Sequence, residues 1–141
     1  MKGRAYYNVT LMLNRQHETR RLTTNTHAAV TREVLEDFAR RSATVYVWMV
    51  MPDHIHILFS RKQPLRDVET FIGRVKQRIN QGLERRGLPT MDWIDGAKQY
   101  PVTRRTLGGA RDYILANPQR GQMVRDPADW PLKDTPAPLD A

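Results

Sequence analysis

Residues 45–60 read Val45-Tyr46-Val47-Trp48-Met49-Val50-Met51-Pro52-Asp53-His54-Ile55-His56-Ile57-Leu58-Phe59-Ser60, and the fold turns on how this stretch is parsed. Val45 to Met51 is a nearly unbroken run of β-branched, aromatic and methionine side chains, the pattern of a buried strand. Pro52-Asp53 interrupts it, because proline presets a turn φ and aspartate bonds back to the following backbone. His54 to Ser60 then reads as a second strand. The two make a tight β-hairpin through the middle of a core.

On the second strand His54 and His56 are two residues apart, so both rings leave the same face. Their Cα atoms lie roughly 6.5–7 Å apart, twice a rise of ~3.3 Å per residue. Ile55, Ile57 and Phe59 take the opposite face, while His54, His56 and Leu58 share one. Two readings stay open on these residues alone: sheet-face histidines bonded to backbone, or two imidazoles converging on one cation. Each buried polar ring needs a partner, which adds weight to the cation.

Working outward, Tyr6 to Leu13 is a first strand, and Asn14 to Arg21 a polar connection in which His17 is solvent-exposed. Asn25 or Thr26 caps a helix to about Arg41, with Val30, Val34, Leu35 and Phe38 on its buried stripe. His27, in its first turn, receives no role. Pro64 and Asp67 open a second helix that Gly87 stops after Arg86. Its apolar stripe is Leu65, Val68, Ile72, Val75, Ile79 and Leu83. Arg74, Arg78, Gln81 and Arg85 occupy another face, with Lys76 and Arg86 nearby; this is either a solvated face or a set of phosphate contacts.

Leu88 to Gly96 reads as a loop and Ala97 to Arg105 as an edge strand, since Pro101 lacks a ladder donor. Gly108-Gly109 breaks the chain before a last helix, Ala110 to Ala116, ended by Asn117-Pro118. Asp126 to Leu132 is a packing turn around Trp130. Residues 133–141 are Pro-rich and acidic and are expected to be disordered. Strand–helix–strand twice over is the split βαβ, ferredoxin-like (RRM-like) α+β pattern. It predicts a four-stranded antiparallel sheet with helices on one face, plus a C-terminal helix, in one domain over 1–132.

On that last helix Tyr113 and Asn117 are i and i+4, hence neighbours, with Cβ atoms ~6 Å apart. Asn117 is either a helix cap before proline or a hard carbonyl-oxygen ligand, suited to Mg²⁺ or Mn²⁺ alongside imidazoles. Tyr113 either packs through its ring or offers a phenol, a poor nucleophile near its ordinary pKa of about 10 unless its oxyanion is stabilised.

Met51-Pro52-Asp53-His54-Ile55-His56 resembles the HUH signature of single-tyrosine transposases. More narrowly it resembles the REP-associated tyrosine transposases, whose usual form is Met-Pro-Asn/Glu-His-hydrophobic-His. Asp112-Tyr113-Ile114-Leu115-Ala116-Asn117-Pro118 resembles that family's Asp-Tyr-Ile-x-x-Asn-Pro run. Gly121 and the Asp126–Pro131 turn resemble its ending, so the likeness spans residues 5–132. It implies that Tyr113 is a nucleophile forming a 5′-phosphotyrosine link. It also implies that His54, His56 and Asn117 hold Mg²⁺ or Mn²⁺, and that the substrate is hairpin-forming palindromic DNA repeats of bacterial genomes.

The chain departs from the family at Asp92 to Tyr100, where members place Trp-Gln followed by paired aromatics. Tyr100 is therefore a rival nucleophile, with Arg104 rather than an amide at i+4. Asp53, where Asn or Glu is common, is read as a turn residue.

Composition agrees with a polyanion partner. The net charge is +8 in 141 residues, with 18 Arg against 5 Lys, and arginine presents a planar fork of donors to phosphate. Arg74, Arg78, Arg85, Lys76, Arg104 and Arg105 are the expected DNA contacts. No stretch reaches the ~20 apolar residues of a membrane span, and Met1 to Tyr6 shows no signal peptide. The absence of cysteine fits a cytoplasmic protein, and the resemblance implies a bacterial one, monomer or homodimer, acting on nucleoid DNA. The expected activity is a metal-dependent single-stranded DNA endonuclease and strand transferase. The rivals are a non-catalytic RRM-like binder, with Tyr7, Tyr46 and Trp48 as stacking aromatics, and a hydrolase of a small phosphoester.

Overall fold

A computed structural model describes residues 3–14 and 22–141. Met1, Lys2 and most of the expected connection, including His17, lie outside the described residues. The hairpin is β2 (Thr44–Met51) and β3 (His54–Arg61), joined through Pro52-Asp53. β1 (Ala5–Met12) pairs with β3 on its other side, and β4 (Lys98–Tyr100) pairs with β1. The order β4-β1-β3-β2 within one antiparallel sheet is the ferredoxin-like arrangement expected from two split βαβ units.

Helices α1 (Asn25–Arg41) and α2 (Val68–Arg85) cover one face of the sheet. Their buried stripes, Val30, Leu35 and Phe38 on α1 and Ile72, Val75, Ile79 and Leu83 on α2, pack with Val9, Leu11, Trp48, Ile55, Ile57 and Phe59. Asp67 caps α2 by accepting from Thr70 N at 3.2 Å. Gly87 stops that helix at a φ of 69°, a left-handed conformation that favours glycine. At Gly82 the helices approach so closely that a Cβ would lie 2.7 Å from Val30 Cγ1. His27 is buried and bonds Pro89 O through Nε2 at 3.2 Å, tying α1 to the loop after α2.

The opposite face carries a second core. Val45 pairs with Phe59 but Val47 with Leu58, so Tyr46 is an extra residue in β2. This bulge lets both Tyr46 and Val47 join Met49, Met51 and Leu58 on one side. Helix α3 (Leu107–Leu115) lies over them through buried Leu107 and Ile114. The sequence placed the start of this helix after Gly108-Gly109. Each glycine costs about 1 kcal/mol in a helix interior, but burying Leu107 and Ile114 returns about 1.5–3 kcal/mol apiece, and the helix begins at Leu107. It ends at Leu115, and a short helix α4 (Asn117–Arg120) follows at once. Pro118 sits in its first turn, where a missing N–H costs nothing.

Two expectations are corrected. The edge strand covers only Lys98–Tyr100, because Pro101 ends the ladder and the chain turns at Thr103–Thr106. The tail expected to be disordered forms a fifth strand, β5 (Lys133–Asp134), against β2. Val50 N donates to Leu132 O and Ala137 N to Val45 O, both at 2.9 Å. The physical reason is that β2 would otherwise be an uncovered edge, and Trp130, Ala137 and Leu139 complete the second core. Among the described residues, no helix is long and apolar enough to cross a membrane.

Candidate active site

The second face of the sheet is open beyond the first turns of α3, and there lies a pocket of about 440 Å³. Its walls include His54 and His56 of β3, Thr10 of β1, Lys98 and Tyr100 of β4, and Tyr113 and Asn117. Residues 56 and 117, distant in sequence, meet because α3 is held down by its apolar anchors, Leu107 and Ile114, over the sheet face that carries His56.

The two imidazoles are ordered by different partners. Asn117 Nδ2 donates to His56 Nε2 at 2.8 Å. Since an amide nitrogen only donates, Nε2 is the acceptor and the ring proton is on Nδ1, which donates to Thr10 Oγ1 at 3.0 Å. The cross-strand register sets Thr10 directly opposite His56. His54 Nδ1 donates to Asp53 Oδ1 at 2.7 Å. The turn that carries Asp53 is itself pinned, with Leu13 N donating to Asp53 O and Leu22 N to Pro52 O, both at 2.9 Å.

The rings stand 4.8 Å apart, centroid to centroid, at 84°. His56 is held neutral: its pKa is lowered from 6.5 to about 3 by burial, then by the charge of His54, then by Arg120. Neutral imidazole is the form that ligates metal.

The donor chemistry fits a divalent cation. With each Nδ1 occupied, both Nε2 atoms remain as donors, and the Asn117 amide touches one of them; rotating that amide presents its oxygen. A ligating histidine that gives its other N–H to a carboxylate or hydroxyl is the usual outer-shell arrangement. Among the described residues no group of three His, Cys, Asp or Glu forms a metal cluster.

Tyr113 is 65% exposed, and its hydroxyl has no partner among the described residues. The Arg120 guanidinium lies over its ring, 3.7 Å from the centroid. Arg120, Thr10 and the bond from His54 to Asp53 escaped sequence reading. Only Asp53 left a signal, a carboxylate immediately before the first histidine.

The expected DNA contacts divide between two sides of the molecule. Arg104 and Arg105 lie in the turn entering α3, and Arg104 Nη1 donates to Tyr6 OH at 3.2 Å. Arg78 and Arg85 instead line a groove of about 470 Å³ between α1 and α2, on the far side of the sheet. Arg74 is exposed on the same helix, and Arg78 pairs with Asp37 at 3.5 Å. Lys76 is spent on structure, donating to Ile94 O at 2.7 Å and Gly96 O at 2.5 Å. Of the aromatics a base-stacking sheet would need, Tyr46 and Trp48 are buried, and Tyr7 stacks on Phe59 within the first core.

Neither a family model nor a curated protein matches the sequence. Solved structures do share the fold. A REP-associated tyrosine transposase bound to a REP hairpin superposes with a TM-score of 0.68 at 18% identity, covering 100% of this chain and 88% of that one. A candidate transposase from Deinococcus radiodurans R1 gives a TM-score of 0.57 at 17% identity, covering 81% of this chain and 91% of that one. The chain therefore has the fold of these proteins.

Proposed function

We propose that this protein is a metal-dependent single-stranded DNA endonuclease and strand transferase of the HUH single-tyrosine type, acting on hairpin-forming DNA. The observation that carries the reading is the convergence on one pocket of two imidazoles, each bonded through Nδ1, an amide, and an exposed tyrosine whose hydroxyl has no partner among the described residues. A fold shared with a transposase bound to a REP hairpin supports the choice of substrate.

His54, His56 and Asn117 would hold Mg²⁺ or Mn²⁺, with Asp53 and Thr10 fixing the two imidazoles. When bound, the cation polarises the scissile phosphate and neutralises its developing charge. Tyr113 Oη attacks phosphorus; the new P–O bond forms as the bond to the 3′-oxygen breaks, and the phenolic proton ends on the released 3′-hydroxyl. The 5′-phosphotyrosine conserves the bond energy, so a 3′-hydroxyl reverses the step and rejoins strands without ATP. Arg104 and Arg105, in the turn entering α3, would serve as phosphate contacts, and Arg74, Arg78 and Arg85 as a second contact surface for longer DNA.

The test is an SDS-resistant protein–DNA adduct on hairpin substrates carrying single-stranded flanks. The wild type is expected to form it and Tyr113→Phe to form none, while Tyr100→Phe still does. Mass spectrometry that finds the nucleotide on Tyr100 overturns the residue assignment. Cleavage without any adduct overturns the reaction type.

A further inference from the structure

Two side chains at the rim of the pocket have no part in the reaction proposed above. Of the five tyrosines, Tyr6, Tyr7 and Tyr46 all have bonded hydroxyls, to Arg104, Leu65 N and Ser60. Only Tyr100 and Tyr113 have hydroxyls without a partner among the described residues, and both line the pocket. Lys76 and Lys133 each donate to two carbonyls. Lys98 lines the pocket and has neither a hydrogen bond nor an ion pair among the described residues.

Register fixes where these groups stand. Thr10 faces His56 on one side and Lys98 on the other, so Lys98 lies two strands from His56 in one row. That separation is about 10 Å, which a lysine side chain and one phosphate bridge. Asn8 likewise stands between Leu58 and Tyr100, which puts the Tyr100 ring on the same face one pleat further along. Tyr100 is 48% exposed, an aromatic ring open to solvent where Tyr6, Tyr7 and Tyr46 are packed. β4 is the outer strand of the sheet, so no described element covers this margin.

We propose that Lys98 and Tyr100 form a nucleotide subsite for single-stranded DNA beside the scissile phosphate. The Lys98 ammonium takes a backbone phosphate and the Tyr100 ring stacks on one base. A cation with an adjacent aromatic face is the minimal platform for unpaired nucleic acid, and it tolerates any base because every base has a π-face. The strand then leaves the pocket over β4 rather than over the α2 arginines. The inference rests on the DNA-cleaving reading for its context, but it is tested by binding alone.

The experiment uses Tyr113→Phe protein in EDTA and a fluorescein-labelled oligothymidylate of about twelve nucleotides, followed by anisotropy across a salt series. Adding Tyr100→Ala should weaken binding roughly 5- to 100-fold, and Tyr100→Phe should stay within about twofold, because stacking needs the ring and not the hydroxyl. Adding Lys98→Met should flatten the log–log salt slope by about 0.7, one phosphate on a single strand. The subsite is overturned by binding of Tyr100→Ala within twofold, by Tyr100→Phe losing as much as Tyr100→Ala, or by a slope that Lys98→Met leaves unchanged. The last result would make Lys98 only a charge guarding a sheet edge. Failure of the wild type to form a covalent adduct overturns the enzymatic reading and leaves this binding result standing.

Discussion

Arg120 holds Tyr113 by two contacts: its guanidinium lies 3.7 Å from the ring centroid, and its Nη1 donates to the Tyr113 carbonyl at 2.7 Å. The pair spans the junction of α3 and α4, so the helix bearing Asn117 also steadies the tyrosine. Arg120 is near enough to His56 to help keep that ring neutral. Arg120→Met preserves the alkyl stem and removes the charge. Exposed cation–π contacts are worth about 0.5–1 kcal/mol, so single-turnover adduct formation should slow by roughly two- to fivefold. Arg120→Lys should recover part of the loss. An undiminished rate in Arg120→Met would show that the tyrosine is positioned without it.

The hydrogen bond from His54 to Asp53 makes the turn residue part of the proposed cation site. Asp53→Asn keeps the shape and weakens the acceptor, and loss of such an outer partner typically costs 10–100-fold in metal affinity. A Mn²⁺ titration followed by electron paramagnetic resonance reads this directly. Cleavage should stop in EDTA and return with Mg²⁺ or Mn²⁺. His56→Ala should abolish it while DNA binding persists, and Asn117→Ala should be milder because water replaces a neutral ligand. Full activity of His56→Ala in chelator would remove the site altogether.

Much of this was legible before any coordinates. The hairpin at Pro52-Asp53, the shared face of His54 and His56 and the α2 stripe all follow from periodicity and turn chemistry. What stayed hidden depends on long-range register. Thr10 became the partner of His56 only once β1 was set against β3, and Lys98 reached the pocket only through the pairing of β4 with β1. The charged face of α2 follows from its periodicity, but single-sequence periodicity carries no information on which side of the sheet it falls. The tail misled because its prolines and acids outweigh Trp130, Ala137 and Leu139, which matter only once a second sheet face needs a cover.

The placement of Arg74 and Arg78 yields a length-dependent prediction. The groove lined by Arg78, on the helix that also exposes Arg74, and the pocket lie on opposite sides of the sheet, so a strand seated in the pocket meets these arginines only if it continues around the molecule. Replacing both with Ala should leave the salt slope for about six nucleotides unchanged and flatten it by roughly one to two units for a long-stemmed hairpin. A flattened slope with the short strand would place the DNA path over α2. Unchanged slopes with both DNAs would leave Arg78 as a partner of Asp37 and Arg74 as a solvated surface charge.

The neutral state of His56 gives the metal-free protein a pH dependence with a definite sign. Its folded pKa is lowered from 6.5 to about 3, first by burial and then by His54 and Arg120. Between those values the unfolded chain takes up a proton at this ring and the folded chain does not, so unfolding is favoured as pH falls. The stability from the neutral ring is fully present above pH 6.5 and is lost as pH drops towards 3. From pH 7 to 5, mostly above the carboxylate range, the loss should be about 1–2 kcal/mol. Urea unfolding in EDTA at both values, for wild type and His56→Gln, isolates this contribution, because His27 and His54 are common to both proteins. The variant should be less stable at pH 7, having lost the Thr10 bond, yet decline less on acidification. Parallel declines would mean that His56 is protonated in the folded protein at pH 5, and that the pocket is wetter than its hydrogen bonds indicate.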